Sequence, residues 1–171
     1  MSEKIFEITI PTLEELKAKR NEQKICLPFK TSNNPARGWP WYGDTQMRIR
    51  LEKILQGRGV YVHFNGDKII YVGKSTGKSR EQDNPDLIYG CFLERFRREF
   101  QEKSSGNSFL YQELAKRKTI NTVVFDLDEI DKLVKVKKEH EGELQSPKIS
   151  KALIFEQAMI AYYFPELNRE A

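Results

Sequence analysis

The stretch GVYVHFNGDKIIYVGK, residues 59–74, decides the fold of this chain. Two segments rich in β-branched and aromatic residues flank Asn65-Gly66, a dipeptide that is a strong signal for a tight β-hairpin. Each segment carries one tyrosine, Tyr61 or Tyr71, and Lys74 follows the second segment. We therefore predict a hairpin with strands over Gly59–Phe64 and Lys68–Val72.

The pairing of the two strands leaves two alternatives. A two-residue turn at Asn65-Gly66 pairs Tyr61 with Ile70 and puts the two tyrosines on opposite faces of the sheet. A three-residue loop with Gly66 in a bulge pairs Tyr61 with Ile69, which places Tyr61 diagonal to Tyr71 on one face. Only the second register lets both rings contact the same ligand.

Periodic patterns predict further elements on both sides of the hairpin. They are a strand over Ile5–Ile10, a helix from the Thr12/Glu15 capping box to about Arg20, an aromatic loop over residues 26–44, a helix over Thr45–Gln56, a helix from Asp83-Asn84-Pro85 to about Lys103, a short helix after Ser108, a strand over Ile120–Leu127 and a helix over Lys151–Phe164. We expect an α/β fold with a small twisted, largely antiparallel three-stranded sheet flanked by helices. We also expect an accessory segment, residues 1–56, before a domain built on the hairpin, residues 57–171.

The composition limits the classes of function. With 171 residues, a net charge of +4 and a pI of about 9.0, the chain suits a polyanionic partner without requiring one. The cysteines, Cys26 and Cys91, form no CxxC pair, so we expect a reducing, cytoplasmic setting. No apolar run approaches the ~20 residues of a membrane span, so we expect no membrane partner.

Two charged side chains lie beside apolar helix stripes. Arg95 shares a helix face with Arg98 and Glu99, at i, i+3 and i+4, and is either a solvated charge or a group held near the sheet and aimed at a phosphate. In ALIFEQAMIAYYF, residues 152–164, only Glu156 and Gln157 are polar. A buried carboxylate needs a partner, so Glu156 predicts either a salt bridge to a core arginine or a metal site.

Together these residues resemble the GIY-YIG nuclease family. That family combines the tyrosine hairpin with an arginine on the next helix, a metal-binding glutamate on a later helix, and an asparagine about three helical turns farther on. The matching residues here are Tyr61, Tyr71, Lys74, Arg95, Glu156 and Asn168. The resemblance spans Arg58 to Asn168, and it implies that residues 57–171 form a GIY-YIG-like nuclease domain.

The resemblance implies a metal-dependent endonuclease that hydrolyses phosphodiester bonds of double-stranded DNA. Glu156 would hold Mg²⁺, or Mn²⁺ in its place, and Arg95 and Lys74 would neutralise charge on the phosphate. Tyr61 is our candidate general base and Tyr71 our candidate phosphate-orienting hydroxyl, although the sequence does not separate the two. Asn168 would support the Glu156 helix or a loop. The predicted DNA-binding residues are Lys74, Arg97 and Arg98.

Two features depart from the family pattern. Glu99 stands where many members carry a histidine or tyrosine, so the function of that side chain is either absent or taken by another group, for which Tyr89 and His63 are candidates. The long link over residues 75–86 favours the restriction-endonuclease branch. The alternatives are a structure-specific nuclease of repair or recombination, and a non-catalytic nucleic-acid-binding module with a decayed site. Because only three residues follow Asn168, we expect the first ~55 residues, the insertions or a second copy of the chain, as a homodimer, to supply specificity.

Overall fold

A computed structural model of the protein describes residues 6–27, 45–76, 91–99, 108–117, 120–137 and 147–168. Within these ranges, six strands and six helices confirm the predicted α/β class. The strands are β1 (Phe6–Ile8), β2 (Ile25–Leu27), β3 (Gly59–Asn65), β4 (Lys68–Ser75), β5 (Ile120–Asp126) and β6 (Val134–Val136). The helices are α1 (Leu13–Gln23), α2 (Thr45–Leu55), α3 (Phe92–Glu99), α4 (Ser108–Ala115), α5 (Leu127–Leu133) and α6 (Pro147–Tyr163), and a 3₁₀ turn covers Glu166–Asn168.

The main sheet has four antiparallel strands in the order β2-β5-β3-β4, and β1 pairs with β6 in a separate sheet. The predicted hairpin and the strand near Ile120 are confirmed, but the prediction of a three-stranded sheet is wrong because β2 forms a fourth strand. β2 has three residues, too few for a sequence pattern to show strand periodicity. Most of the predicted aromatic loop, residues 28–44, lies outside the described residues.

The hairpin turns at Gly66-Asp67, one residue later than the sequence predicted. Asn65 pairs with Lys68 across this turn, and Gly66 has a φ of 64°, a conformation that glycine adopts without steric cost. Neither predicted register is present, because Tyr61 pairs with Gly73 rather than with Ile69 or Ile70.

A bulge in β4 nevertheless puts the two tyrosines together. His63 pairs with Tyr71 whereas Phe64 pairs with Ile69, so Ile70 is an extra residue in the second strand. Tyr61 therefore lies diagonal to Tyr71, and their ring centroids are 6.1 Å apart. The prediction that both rings share one face of the sheet is confirmed, although the predicted register was wrong.

Two cores cover the opposite faces of the main sheet, and side chains of β3 alternate between them. The α3 face carries Tyr61 and its packing partners Leu51, Leu55, Phe92, Phe96 and Val124. The α6 face carries Val60, Val62, Val72, Leu16, Ile130, Phe155 and Met159. Successive side chains of β3 therefore pack into different cores, as the two-residue period of a strand requires.

Two helix boundaries differ from the predicted ones. α3 begins at Phe92, because Cys91 is not helical, and the predicted start signals at residues 83–85 lie outside the described residues. α6 begins at Pro147, where the fixed φ of proline suits a first helical turn, and ends before Pro165. None of the helices in the described ranges is long and apolar enough to cross a membrane.

Strands of the predicted accessory segment join strands that come later in the chain. β1 pairs with β6, and β2 pairs with β5. The Thr12/Glu15 capping box that begins α1 is confirmed, with the Thr12 hydroxyl accepting from the Glu15 amide at 3.1 Å. The domain boundary between residues 56 and 57 stays a prediction.

Candidate active site

Tyr61 lies at the centre of the α3 face and is fully buried. Its hydroxyl donates a hydrogen bond to Glu99, and it accepts one from Arg95 Nε at 3.2 Å. Burial, reinforced by the negative charge of Glu99, raises the pKa of Tyr61 well above its usual value. The phenol therefore keeps its proton near neutral pH and acts as a donor to the carboxylate.

Tyr71 is the more accessible of the two phenols. Its side chain is half-buried, and burial followed by the Glu99 charge raises its pKa. The positive charge of Arg95 and a hydrogen bond from Arg95 act in the opposite direction. The charge of Arg95 thus acts on both phenols, and the negative charge of Glu156 also raises the pKa of Tyr71.

Gly73 makes room for the Tyr61 ring. It stands opposite Tyr61 in the hairpin, and a Cβ atom there would lie 2.4 Å from Tyr61 Oη and 2.8 Å from Tyr71 Cε1. Both distances are far inside van der Waals contact, and the Tyr61 ring is locked by its neighbours. Any larger residue at this position must therefore displace at least one phenol.

Glu99 is a fully buried carboxylate with polar partners on three sides. Besides the Tyr61 hydroxyl, its partners are His63 Nε2, which lies 2.8 Å from Oε2, and Arg95 Nε, which lies 3.7 Å from Oε1. Arg95 and Glu99, which the sequence placed on one helix face, form an ion pair across one helical turn, whereas the hydrogen bond of Arg95 Nε goes to Tyr61. Because the carboxylate satisfies groups from β3 and from α3, it joins the helix to the sheet.

His63 extends this network to the neighbouring strand. Its Nδ1 lies 2.8 Å from the Thr122 hydroxyl on β5, and both side chains are fully buried. The sequence named His63 as one substitute for the missing histidine or tyrosine, and the structure places it against Glu99. The other candidate, Tyr89, lies outside the described residues. Thr122 was missed, since a threonine in a β-branched strand carries no sequence signal of its own.

Arg95 projects from α3 with its side chain 31% exposed. The Tyr61 oxygen, followed by the negative charge of Glu99, raises the pKa of the guanidinium, so this cation is permanent. One edge of the group is held by the phenol while the remainder stays open to solvent. The side chains of Arg97 and Arg98 lie outside the described part of the structure.

Glu156 lies on α6 and is 8% exposed. Burial raises the pKa of its carboxyl group, whereas a hydrogen bond from Gln157 Nε2 at 3.0 Å and the charges of Lys74 and Arg95 lower it. The predicted alternative of a salt bridge to a core arginine is not present among the described residues. A desolvated carboxylate near two cations, with one oxygen bonded to an amide, is a suitable ligand for a hard divalent ion.

Lys74 connects the two faces at the edge of the sheet. It pairs with Val60 and therefore projects on the α6 face, where its charge acts on Glu156. The phenols and Arg95 approach from the α3 face. Strand β4 thus separates two groups of side chains whose charges still interact across it.

Asn168 supports β4 directly. Its Oδ1 accepts from the Val72 amide at 2.9 Å, and its Nδ2 donates to the Val72 carbonyl at 2.8 Å. The predicted supporting function is present, but the predicted partner, the Glu156 helix or a loop, was wrong. The Asn168 amide bonds to both backbone groups of Val72 as a neighbouring strand would, and Val72 is next in sequence to Tyr71.

Within the described residues, no group of three histidine, cysteine, aspartate or glutamate side chains is arranged to hold a metal ion. A metal at Glu156 would therefore depend on water and substrate oxygens for its other ligands, which is typical of Mg²⁺. No protein-family model matches this chain, and comparisons with curated proteins and with solved structures also give no match. The resemblance to GIY-YIG nucleases therefore stays a prediction that rests on the residues named from the sequence.

Proposed function

We propose that this protein is a metal-dependent endonuclease that hydrolyses phosphodiester bonds of DNA by the chemistry of GIY-YIG nucleases. The main support is the presence of five groups, from four separate elements, on and around strand β4. These groups are Tyr61, Tyr71, Lys74, Arg95 and Glu156. Two phenols, two cations and a desolvated carboxylate suit an in-line attack of water on a phosphodiester.

The two cations would bind the phosphate and stabilise its transition state. Arg95 has a permanent charge and a partly exposed guanidinium, which suits paired hydrogen bonds to phosphate oxygens. Lys74 adds a second charge from the other side of β4. Since negative charge on the phosphate oxygens increases during attack, these contacts strengthen in the transition state and accelerate the reaction.

One of the two phenols would position the attacking water. A water oxygen then bonds to phosphorus, the bond to the leaving sugar oxygen breaks, and that oxygen takes up a proton. Glu156 would hold a divalent ion, which when bound stabilises the phosphate charge and makes water more acidic. Asn168 fixes the backbone of β4 between Tyr71 and Gly73, so both tyrosines keep their separation.

The proposal is tested by incubating the purified protein with Mg²⁺ and three substrates, which are plasmid DNA, linear duplexes and branched duplexes. We expect cleavage that chelation abolishes, and sequencing of the ends separates a site-specific nuclease from a structure-specific one. Glu156→Gln should abolish cleavage while DNA binding and thermal stability stay close to those of the wild type.

The matched control is Asp128→Asn, which also replaces a carboxylate by an amide. Asp128 is an exposed partner of Lys148 at 2.6 Å, and surface ion pairs contribute ~0–1 kcal/mol, so cleavage should be unchanged. Wild-type protein that binds DNA without cutting any substrate would favour a non-catalytic binding module. Cleavage that survives in Glu156→Gln would remove this residue from the site.

A further inference from the structure

The most unusual feature of the α3 face is a chain of buried polar groups. It runs from Thr122 through His63 and Glu99 to Tyr61, and each of these side chains is fully buried. A buried polar group is costly unless its hydrogen bonds are satisfied. A folded chain that retains four such groups in one row gains a defined geometry from them.

The chemistry of the carboxylate sets the direction of the hydrogen bonds. An ionised carboxylate only accepts, so the Tyr61 hydroxyl and His63 Nε2 both donate to Glu99. His63 is then the Nε2–H tautomer, and its Nδ1 accepts from the Thr122 hydroxyl. With its proton directed at Glu99, the Tyr61 oxygen presents a lone pair to Arg95 Nε.

We infer that Glu99 and His63 form a positioning pair that fixes the Tyr61 hydroxyl and through it Arg95, leaving Tyr71 as the phenol that contacts the attacking water. This inference rests on the proposed function for its catalytic consequence. It reverses the tyrosine assignment expected from the sequence. In this inference Glu99 of α3 and His63 of β3 together take the role of the single histidine or tyrosine that many GIY-YIG nucleases carry at the position of Glu99.

Accessibility distinguishes the two phenols. Tyr61 has no exposed surface, and its oxygen already contacts Glu99 and Arg95, so it offers no place to a water or a phosphate. Tyr71 is half-buried, and the charges of Arg95 and Glu156 both act on it, so it is the more accessible of the two phenols and lies in the field of the candidate catalytic charges. A phenol that contacts the substrate needs the accessible environment of Tyr71 rather than the closed one of Tyr61.

The pair itself is tested by the tautomer of His63, which does not depend on activity. The chain has two histidines, so His140→Gln leaves His63 as the only imidazole signal in ¹⁵N spectra. We expect the Nε2–H form in this background. In Glu99→Gln the carbonyl oxygen takes the place of Oε1, which faces two donors, the Tyr61 hydroxyl and Arg95 Nε, so the NH₂ group takes the place of Oε2 and donates to the ring. The tautomer should then switch to Nδ1–H, donating to Thr122.

Thr122→Val is the matched control, because it removes the other partner of the ring and should leave the Nε2–H form unchanged. An Nδ1–H form in the protein with native Glu99 would overturn the pair, and this result does not require that Glu99→Gln folds. An unchanged tautomer in a folded Glu99→Gln variant would overturn it as well.

The catalytic consequence is tested by cleavage kinetics. We expect Tyr61→Phe and Glu99→Gln to lower kcat about 10-fold each with KM unchanged, and the double variant to lose no more than either single one, since they act through the same contact. Tyr71→Phe should lower kcat by about 10²–10⁴-fold. In the double variant with Glu99→Gln, the two losses of kcat should multiply.

A loss of kcat in Tyr61→Phe that equals or exceeds the loss in Tyr71→Phe would overturn the assignment. So would a Tyr61→Phe/Glu99→Gln double variant whose loss of kcat is the product of the two single losses. If the wild type cleaves no DNA, the proposed function fails, whereas the tautomer experiment still decides whether Glu99 and His63 are paired. The two failures are therefore distinguishable.

Discussion

The two faces of the main sheet use different means to hold their helices. The α6 face is filled by aliphatic and aromatic side chains such as Val62, Phe155 and Met159, with Glu156 at its margin. The α3 face also has an apolar core, but it buries a carboxylate, an imidazole and a phenol within it. Apolar packing tolerates small shifts, whereas a buried polar row keeps its stability only in one geometry. We therefore expect stability to depend mainly on the first face, and the positions of Tyr61 and Arg95 to depend mainly on the second.

The largest expected effect on stability comes from the α6 face. Leu16 is fully buried there, on α1, and is not one of the candidate site residues. Leu16→Ala should lower the free energy of unfolding by about 2–5 kcal/mol, through lost burial and a cavity. Urea unfolding measures this loss, and kcat, measured where the variant is still folded, should equal that of the wild type. A parallel fall in kcat would show that the two faces are not independent.

Gly73→Ala tests the opposite behaviour on the α3 face. The added Cβ would lie 2.4 Å from Tyr61 Oη, so the phenol must move. We expect about 1–3 kcal/mol of destabilisation from overpacking, together with a fall in kcat on the order of 100-fold, since small displacements of reacting groups are costly.

Gly66→Ala provides the matched control for that experiment. In the described part of the chain, no heavy atom lies within 4 Å of the added Cβ, but the φ of 64° costs about 1–2 kcal/mol for a residue other than glycine. Stability should fall comparably while kcat is retained. Equal kcat in Gly73→Ala and Gly66→Ala would show that the Tyr61 ring can be displaced without loss of activity.

Asn168→Ala tests the edge of the sheet, where the two faces meet. Two hydrogen bonds to Val72 are lost, and at about 0.5–1.5 kcal/mol each we expect a destabilisation of about 1–3 kcal/mol with a modest fall in kcat. Glu166→Gln, in the same turn, weakens only ion pairs to Lys68 and Arg117 and should cost less. A larger loss in Glu166→Gln would show that the turn is held by charge rather than by the asparagine amide.

The smallest effect concerns alkaline pH. The pKa of Tyr61 is raised in the folded state, so its contribution to stability is complete below about pH 10, where the unfolded phenol starts to ionise, and is lost as pH rises through the folded pKa. Tyr61→Phe should flatten the fall in unfolding free energy above pH 10, by at most about 1.4 kcal/mol per pH unit. An identical slope in Tyr61→Phe would contradict the buried, protonated phenol.

Local patterns predicted much of this architecture. The Asn65-Gly66 dipeptide and the β-branched segments indicated the hairpin, and the single acid of an apolar helix indicated Glu156. These signals are visible because the residues that define them are close in sequence. The helical spacing of Arg95 and Glu99 gave their contact for the same reason.

The remainder depended on contacts between distant segments. A bulge of one residue, Ile70, decided the register, and no local propensity identifies which residue is left without an opposite neighbour. β2 forms only because β5 offers it a partner about 95 residues later. The sequence showed that Glu99 departs from the family pattern, but its contacts with His63 and Tyr61 require β3 and α3 to be in place.

Asn168 also affects how the protein meets other copies of itself. β4 is the outer strand of the main sheet as described, and the exposed backbone of an edge strand can recruit another chain into a continuous intermolecular sheet. The amide of Asn168 occupies both backbone groups of Val72. Strand addition at this position would first have to displace it, so the side chain that supports the candidate site also protects this edge against aggregation.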